Sequence, residues 1–544
     1  MQMSETEELQ HAVDRILRST SPKKLIVAGP GAGKTFLFKK LLEKTAGGPD
    51  NRLALTFINE LKDDLDRNLS HLAGVYTLHG YCHYLLRRNR VLRTGLTASF
   101  DYFPDIPTLI KRDWELANGN PPPQFVTLMR DLQIGVETDF YLSRSDYYDG
   151  IGYDDSVFRV HARLSENPDQ LSEYEMILVD EFQDFNRLES SFIDLLSSKS
   201  PIVIAGDDDQ ALYSQLRSSN PDFIRALHSA GEFEVFQLPF CMRCPAAIVD
   251  AVNAVVTKAQ RQGCLRSRIK KPFRHYSPLK GPDSKRYPFI QSVQCSAQSL
   301  KANYFGRYIA DAIRNIPKEE INESHEKLFP TVLIIGSIQY LRQIKKHLEE
   351  VGFSVQEKEE TVADLSREDG LKRLKMNPES NLGWRIVVET DRPEWERKIV
   401  RESVQTSKPL CQLLPANFRI QVLTEAAEMD VTLEAQNPKP ALAEDKEKPV
   451  IKLTSFEGSK GLSAQHVFVV GVHKGELPRD DRNIKDLEIC KFIVSLTRTR
   501  KQCHVITTFR WIGVSKRPSI FVDWLPTSVT RIVKITKETV AKLC

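Results

Sequence analysis

The sequence predicts an α/β protein built on parallel sheets, and three observations carry that prediction. Lys24-Leu25-Ile26-Val27 is short and apolar like a buried strand, a glycine-rich turn follows it, and Phe36 to Leu42 carries leucines at helical spacing. Short apolar stretches then alternate with helix-like ones, the rhythm of a parallel sheet covered by helices. At 544 residues the chain is far above one typical domain, so three or four compact units are expected.

The elements follow in order. Residues 4–17 read as a capped helix leading into the first strand. The turn after that strand runs Ala28-Gly29-Pro30-Gly31-Ala32-Gly33-Lys34-Thr35, and a glycine-rich turn between strand and helix is the context of a phosphate-binding loop. Its glycines let backbone N–H groups turn inward around a phosphate, where a Cβ would obstruct the approach. Lys34 can reach the β- and γ-phosphates, Thr35 offers a hydroxyl to Mg²⁺, and the positive end of the following helix adds attraction. Arg52 to Phe57 is the next strand, ending in Ile58-Asn59-Glu60 and a charged helix. Val75 to Tyr81 is a third apolar stretch leading into another helix. Residues 91–170 break the rhythm with Pro104, Pro107 and Pro121-Pro122-Pro123, and are expected to form an insertion on the first sheet domain. The rhythm resumes at Tyr174 to Val179 and ends in Asp180 and Glu181. An acid pair after a strand is, taken alone, a solvated turn. With a phosphate-binding loop upstream it reads as the second half of a nucleotide site. Asp180 would hold Mg²⁺ and Glu181 would deprotonate an attacking water. Pro201 to Ala205 is a further strand, and Gln210 after it is placed to sense a γ-phosphate.

These stretches, with Thr56-Phe57-Ile58-Asn59, Thr77-Leu78-His79, Val179 to Asp184 and Gly206 to Tyr213, stand in the order of the superfamily 1 helicases, and the chain most resembles the UvrD/Rep family. Leu238 to Arg243 resembles the family's fourth motif, Ser455 to Ser463 the fifth with its Lys-Gly-Leu core, and Val494 to Lys501 the sixth. The resemblance implies two RecA-like P-loop domains with parallel sheets, each carrying a mainly helical insertion, and ATP with Mg²⁺ in the cleft between them. It implies γ-phosphate arginines at Arg243 and Arg498, beside Glu181 and Gln210, and ATP contacts at Gln183 and at Gln10, the first-helix glutamine. Phe57, Asn59, His79 and Tyr213 become candidate DNA contacts; for Phe57 and Tyr213 a place in the core is an equal alternative. The expected domains are 1–90 with 171–237, an insertion at 91–170, a second domain at 238–351 with 450–544, and a reduced insertion at 352–449 that closes in a Pro-, Glu- and Lys-rich linker at 437–449. The implied activity is a DNA-dependent ATPase moving 3′ to 5′ on single-stranded or tailed DNA. The alternative is a nucleotide-gated subunit controlling a partner nuclease, because short UvrD-like proteins similar to this one occur in bacterial antiphage systems.

The departures are informative too. The third motif of the family ends Tyr-x-Trp-Arg, with the Trp stacking on a base; here the run is Tyr213-Ser214-Gln215-Leu216-Arg217. Met242 replaces an aromatic before Arg243, and Glu457 replaces a histidine in the fifth motif. Stacking is worth about 1–3 kcal/mol per base, so a weaker grip on single strands is expected. Net charge is only +4, so any nucleic-acid surface must be local. The run from Arg266 to Tyr276 mixes basic and aromatic residues and offers either such a surface or a solvated face. Cys241 and Cys244 form a CxxC, which zinc would use only with further ligands. No apolar stretch reads as a signal peptide or membrane span, and nine scattered cysteines fit a reduced, cytoplasmic setting.

Overall fold

The computed structural model describes residues 3–298, 303–357, 366–429 and 447–542; most of the 437–449 linker lies outside the described residues. Its first sheet contains β1 (Lys23–Ala28), β2 (Arg52–Thr56), β3 (Gly74–Thr77), β4 (Met176–Val179), β5 (Ile202–Gly206) and β6 (Glu234–Leu238). The strand order is β3-β2-β4-β5-β1-β6, every neighbouring pair parallel. Alternate strand residues face opposite sides. Ile26, Ala54, Leu178 and Val203 pack against helices Glu5–Arg18 and Lys34–Lys44 through Val13, Ile16, Phe38 and Leu42. Leu25, Leu53, Ile177 and Ile204 join a second core with Tyr81, Cys82 and Phe192. Burial on both faces explains why these strands read as unbroken apolar runs.

That topology places the site. Strands β4, β5 and β1 are consecutive in the sheet, so the turns leaving their carboxyl ends lie side by side. Those turns carry Asp180 and Glu181, Gln210, and the glycine-rich loop. Ligands of open α/β sheets bind at this edge.

The second sheet contains β7 (Ile290–Cys295), β8 (Val332–Ile335), β9 (Val355–Glu357), β10 (Ile451–Thr454), β11 (Ala464–Val470), β12 (Thr499–Thr508) and β13 (Thr530–Ile535). Its order is β9-β10-β8-β11-β12-β7-β13, again all parallel. Both faces are filled, one by helices Ala246–Arg261 and Asp486–Thr497, the other by helices Tyr304–Arg314 and Ile338–Glu350.

Helices Ile106–Asn118, Phe125–Arg130, Val136–Tyr148 and Tyr153–Glu166 make up the first insertion; Arg367–Met376, Asn381–Asp391, Pro393–Thr406, Leu410–Leu413 and Ala416–Glu428 make up the second. The two are one packing unit. Leu109, Ile110 and Tyr141 share a core with Trp384, Ile399 and Phe418. A buried ionic cluster crosses the joint: Asp113 accepts from Arg144 at 2.8 Å and from Arg385 at 2.8 Å, and Arg385 also reaches Glu396 at 2.6 Å. Arg112 completes the pairing of Glu396, at 2.5 Å. Burial opposes ionisation of Asp113, but the two guanidiniums hold its carboxyl below the usual range. Removing one partner of a buried pair leaves the other charge uncompensated. Arg385→Ala is therefore expected to destabilise the helical unit by about 3–5 kcal/mol, seen as an earlier transition in calorimetry. An unchanged melt would show that the pair is dispensable.

Candidate nucleotide cleft

A cavity of about 240 Å³ opens where the first sheet's carboxyl edge meets the second domain. Pro30 to Thr35, Asp180, Glu181 and Gln210 line it from one side, and Met242, Arg243, Lys460 and Arg498 from the other. The loop conformation needs its glycines. Gly31 and Gly33 have φ of 70° and 87°, the left-handed region, and Gly33 caps helix Lys34–Lys44. A Cβ at either position would collide with the Met242–Arg243 segment. Met242 N–H donates to Gly31 O at 2.9 Å, so the fourth motif seats directly on the loop. Ala28 ends β1 inside the core and Gly29 lies under the Phe273 ring; both back the loop, and neither lines the cavity.

Charge in the cleft is arranged around Glu181. Lys34 Nζ lies 2.7 Å from Glu181 Oε1 and 3.6 Å from Asp180 Oδ1. Lys460, from the second domain, pairs with Asp184, donates to Gln210 O at 2.7 Å and stands 3.4 Å from Glu181 Oε2. Burial works against the Glu181 carboxylate, but Lys34 and Lys460 outweigh it and lower its pKa; burial raises that of Asp180. Glu181 has a φ of 55°, an uncommon conformation for a residue with a Cβ. Gln183 is buried behind it, donating to Glu181 Oε2 at 2.6 Å and accepting from Asp207 N–H at 2.9 Å. Contrary to the expectation of an ATP contact, Gln183 orients the acid from behind the cavity wall.

The opposite wall supplies cations. Arg498 is buried, and its guanidinium donates to Val494 O at 3.0 Å, Leu462 O at 3.3 Å and Gln210 Oε1 at 3.1 Å. Among the described residues no carboxylate pairs with it. Burial, then the nearby charge of Arg243, pulls its pKa down to about 9. An anion placed between Lys34 and these arginines would relieve that cost. Lys460 was missed as a site residue. Its signal was present in the Lys-Gly-Leu core, but its closeness to Glu181 depends on how the second sheet docks.

Other expected residues fall elsewhere. Gln10 is exposed on helix Glu5–Arg18 and donates to Asp14 Oδ1 at 2.8 Å; it does not line the cleft. Helical register turns it away, because i and i+4 share a face. Phe57 is 3% exposed, 5.1 Å from the Tyr213 ring and 4.4 Å from the Arg217 guanidinium. His79 is buried against Arg217 and Glu189, and burial followed by Arg217 lowers its pKa to about 3, so it is neutral. Both side chains are buried, so neither ring stands exposed on the surface. Tyr213 is half-buried and donates to Glu457 O at 3.2 Å, while Asn59 is exposed at the start of helix Asn59–Leu69. The basic run is divided: Arg268 and Lys271 turn inward and pair with Asp209, Arg274 pairs with Glu8 and lies over Phe240, and Arg266 and Lys270 are exposed. Cys241 and Cys244 are free and buried, while the Cys264 thiol donates to Ile484 O. Among the described residues the one group of acidic, His or Cys ligands close enough for a cation is Asp207-Asp208-Asp209, which Lys271 already fills.

Two parallel sheets with a phosphate loop on one and arginines from the other define a P-loop protein of two RecA-like domains. An AAA domain model matches residues 10–215. The ATP-dependent DNA helicase PcrA of Staphylococcus epidermidis is 25% identical over 285 residues, covering 44% of this chain and 38% of that protein. PcrA of Staphylococcus aureus is 24% identical over 282 residues, with the same coverage. By these matches and by its ordered motifs the chain is similar to the UvrD-like proteins of superfamily 1. Its match spans 38% of the length of those relatives. Among the described residues no helix is long and apolar enough to cross a membrane.

Proposed function

We propose that this chain is an ATP-driven DNA translocase of the cytoplasm, hydrolysing ATP between its two sheet domains. The observation that carries this is the buried Arg498, which pairs with no carboxylate among the described residues and lines the same cavity as Lys34 and the glycine-rich loop. The residues fit ATP with Mg²⁺: Thr35 and Asp180 would hold the cation, which neutralises developing phosphate charge. Lys34 would exchange its carboxylate partners for phosphate oxygens. Glu181, kept ionised by Lys460, would take the proton of the attacking water. Gln210 would present Oε1 to the cleft, and Arg243 and Arg498 would stabilise the transferring group when the domains close.

The single strand would cross the carboxyl edges of both sheets. A cavity of about 410 Å³ lies there on the second sheet, lined by Gly336, Ser337, Ser455, Glu457, Lys485 and Lys491, with Gln215 reaching in from the first. Gln215 stands where the relatives of the family place a stacking Trp, and Leu216 beside it is 62% exposed. Phe57 and His79, being buried, add no stacking face.

A regulatory role beside a partner nuclease gains support from that thin grip. The expected result is a nucleic-acid-stimulated ATPase that unwinds a 3′-tailed duplex weakly in isolation. Its DNA affinity should fall steeply with salt, each phosphate contact adding about 0.7 to the log–log slope on single strands. Turnover with and without single-stranded DNA, plus strand separation at physiological salt, test this. Turnover indifferent to DNA would overturn the motor; robust processive unwinding by the isolated chain would remove the need for a partner.

A further inference from the structure

The sensing glutamine is gripped at both ends. Gln210 Oε1 accepts from Arg498 at 3.1 Å, and its Nε2 donates to Asp207 Oδ2 at 2.8 Å. A carboxamide is nearly symmetric in shape, so only its partners choose between its two orientations. Flipped, Gln210 would turn an N–H toward Arg498 and its oxygen toward Asp207, and both contacts would repel.

Asp207 itself needs a partner. It is fully buried, followed by two more buried aspartates, and sits far from solvent that could stabilise its charge. Lys271 supplies that partner. Its side chain is 2% exposed, and Nζ lies 2.7 Å from Asp207, 3.0 Å from Asp208 and 2.7 Å from Asp209. Arg225 takes Asp208 at 3.0 Å and Arg268 takes Asp209, so the three acids face three cations. Lys271 and Arg268 arrive on the segment after helix Ala246–Arg261, two residues before Phe273 covers Gly29 of the phosphate loop.

We infer that Lys271 is a positioning residue for hydrolysis: through Asp207 it sets the orientation of Gln210, so that Oε1 faces the cleft. This rests on the ATPase function proposed above. Arg268 and Lys271 of the basic run thereby act inside the protein, at the seam that brings the second half of the chain to the phosphate loop.

The test is a double-mutant cycle in the full chain, with ATP turnover on single-stranded DNA and ATP affinity measured separately. Lys271→Met and Gln210→Ala are each expected to lower kcat about 10- to 100-fold. ATP affinity should stay within about two-fold, since an interaction made only in the transition state moves kcat alone. The double variant should be no slower than the slower single, because both changes remove one contact. Additive losses, a loss carried by affinity, or a wild-type kcat in Lys271→Met would each overturn the inference. If Lys271→Met fails to fold, Asp207→Asn keeps the side-chain shape, leaves Lys271 two acids, and must show the same non-additivity with Gln210→Ala. Wild-type and Glu181→Gln turnover in the same assay separate the outcomes. An inactive wild type sinks the ATPase function, whereas an active wild type with an active Lys271→Met sinks only the positioning role.

Discussion

Arg243→Ala and Arg498→Ala are each expected to lower maximal ATP turnover by about 10³- to 10⁵-fold, the range of a transition-state arginine. ATP affinity should change far less. Both side chains come from the second domain, and in this structure their donors rest on protein oxygens: Arg243 on Thr497 O at 3.4 Å, Arg498 on Val494 O, Leu462 O and, across the cleft, Gln210 Oε1. On the proposed mechanism those neutral partners would be exchanged for phosphoryl oxygens in the transition state, so the gain would fall on kcat. Steady-state kinetics with a separate binding titration decide the matter. A pure loss of affinity at unchanged kcat would refute closure as the catalytic step.

Glu181→Gln is expected to retain ATP binding and to slow hydrolysis by about 10²- to 10⁴-fold, the typical contribution of a general base. Asp180, the proposed Mg²⁺ ligand, is untouched, and the neutral amide keeps the hydrogen bond from Lys34. Lys34→Ala is the harsher change, expected to abolish turnover, because no other side chain of the loop can bring a cation to the phosphates. A filter-binding assay for ATP alongside phosphate release separates the two variants. Wild-type hydrolysis by Glu181→Gln would mean the base lies elsewhere.

The nucleotide half of the cleft was legible because its chemistry is local. Gly31, Gly33, Lys34 and Thr35 sit within five residues, and the strand before and helix after them are both visible in the apolar pattern. Asp180 and Gln210 could be placed because each follows a strand, and strands of a parallel sheet deliver their turns to one edge. What sequence could not show is which way a side chain faces once that edge is assembled. Phe57, next to strand β2, could face the surface or the core; packing against Tyr213 and Arg217 settled it. Gln10, by helical register, lies off the cavity and bonds Asp14. Lys271 and Arg385 look in the sequence like any solvated basic residue, because Asp207, which buries Lys271, and Asp113, which carries Arg385 across the joint, lie more than sixty and more than two hundred positions away respectively. Charged residues are rarely buried, so a buried one leaves no compositional trace.

The shared core of the two insertions changes how the chain is divided mechanically. By chain order the second insertion belongs to the second domain, yet its described packing partners lie in the first insertion, which is continuous with the first sheet's core. The polypeptide therefore passes between the two bodies three times: once after Leu238, once into the helical unit and once out of it. In packing terms the helical unit therefore belongs to the nucleotide-binding half, and the second sheet, with Arg243, Lys460 and Arg498 on its lip, stands opposite as the other body.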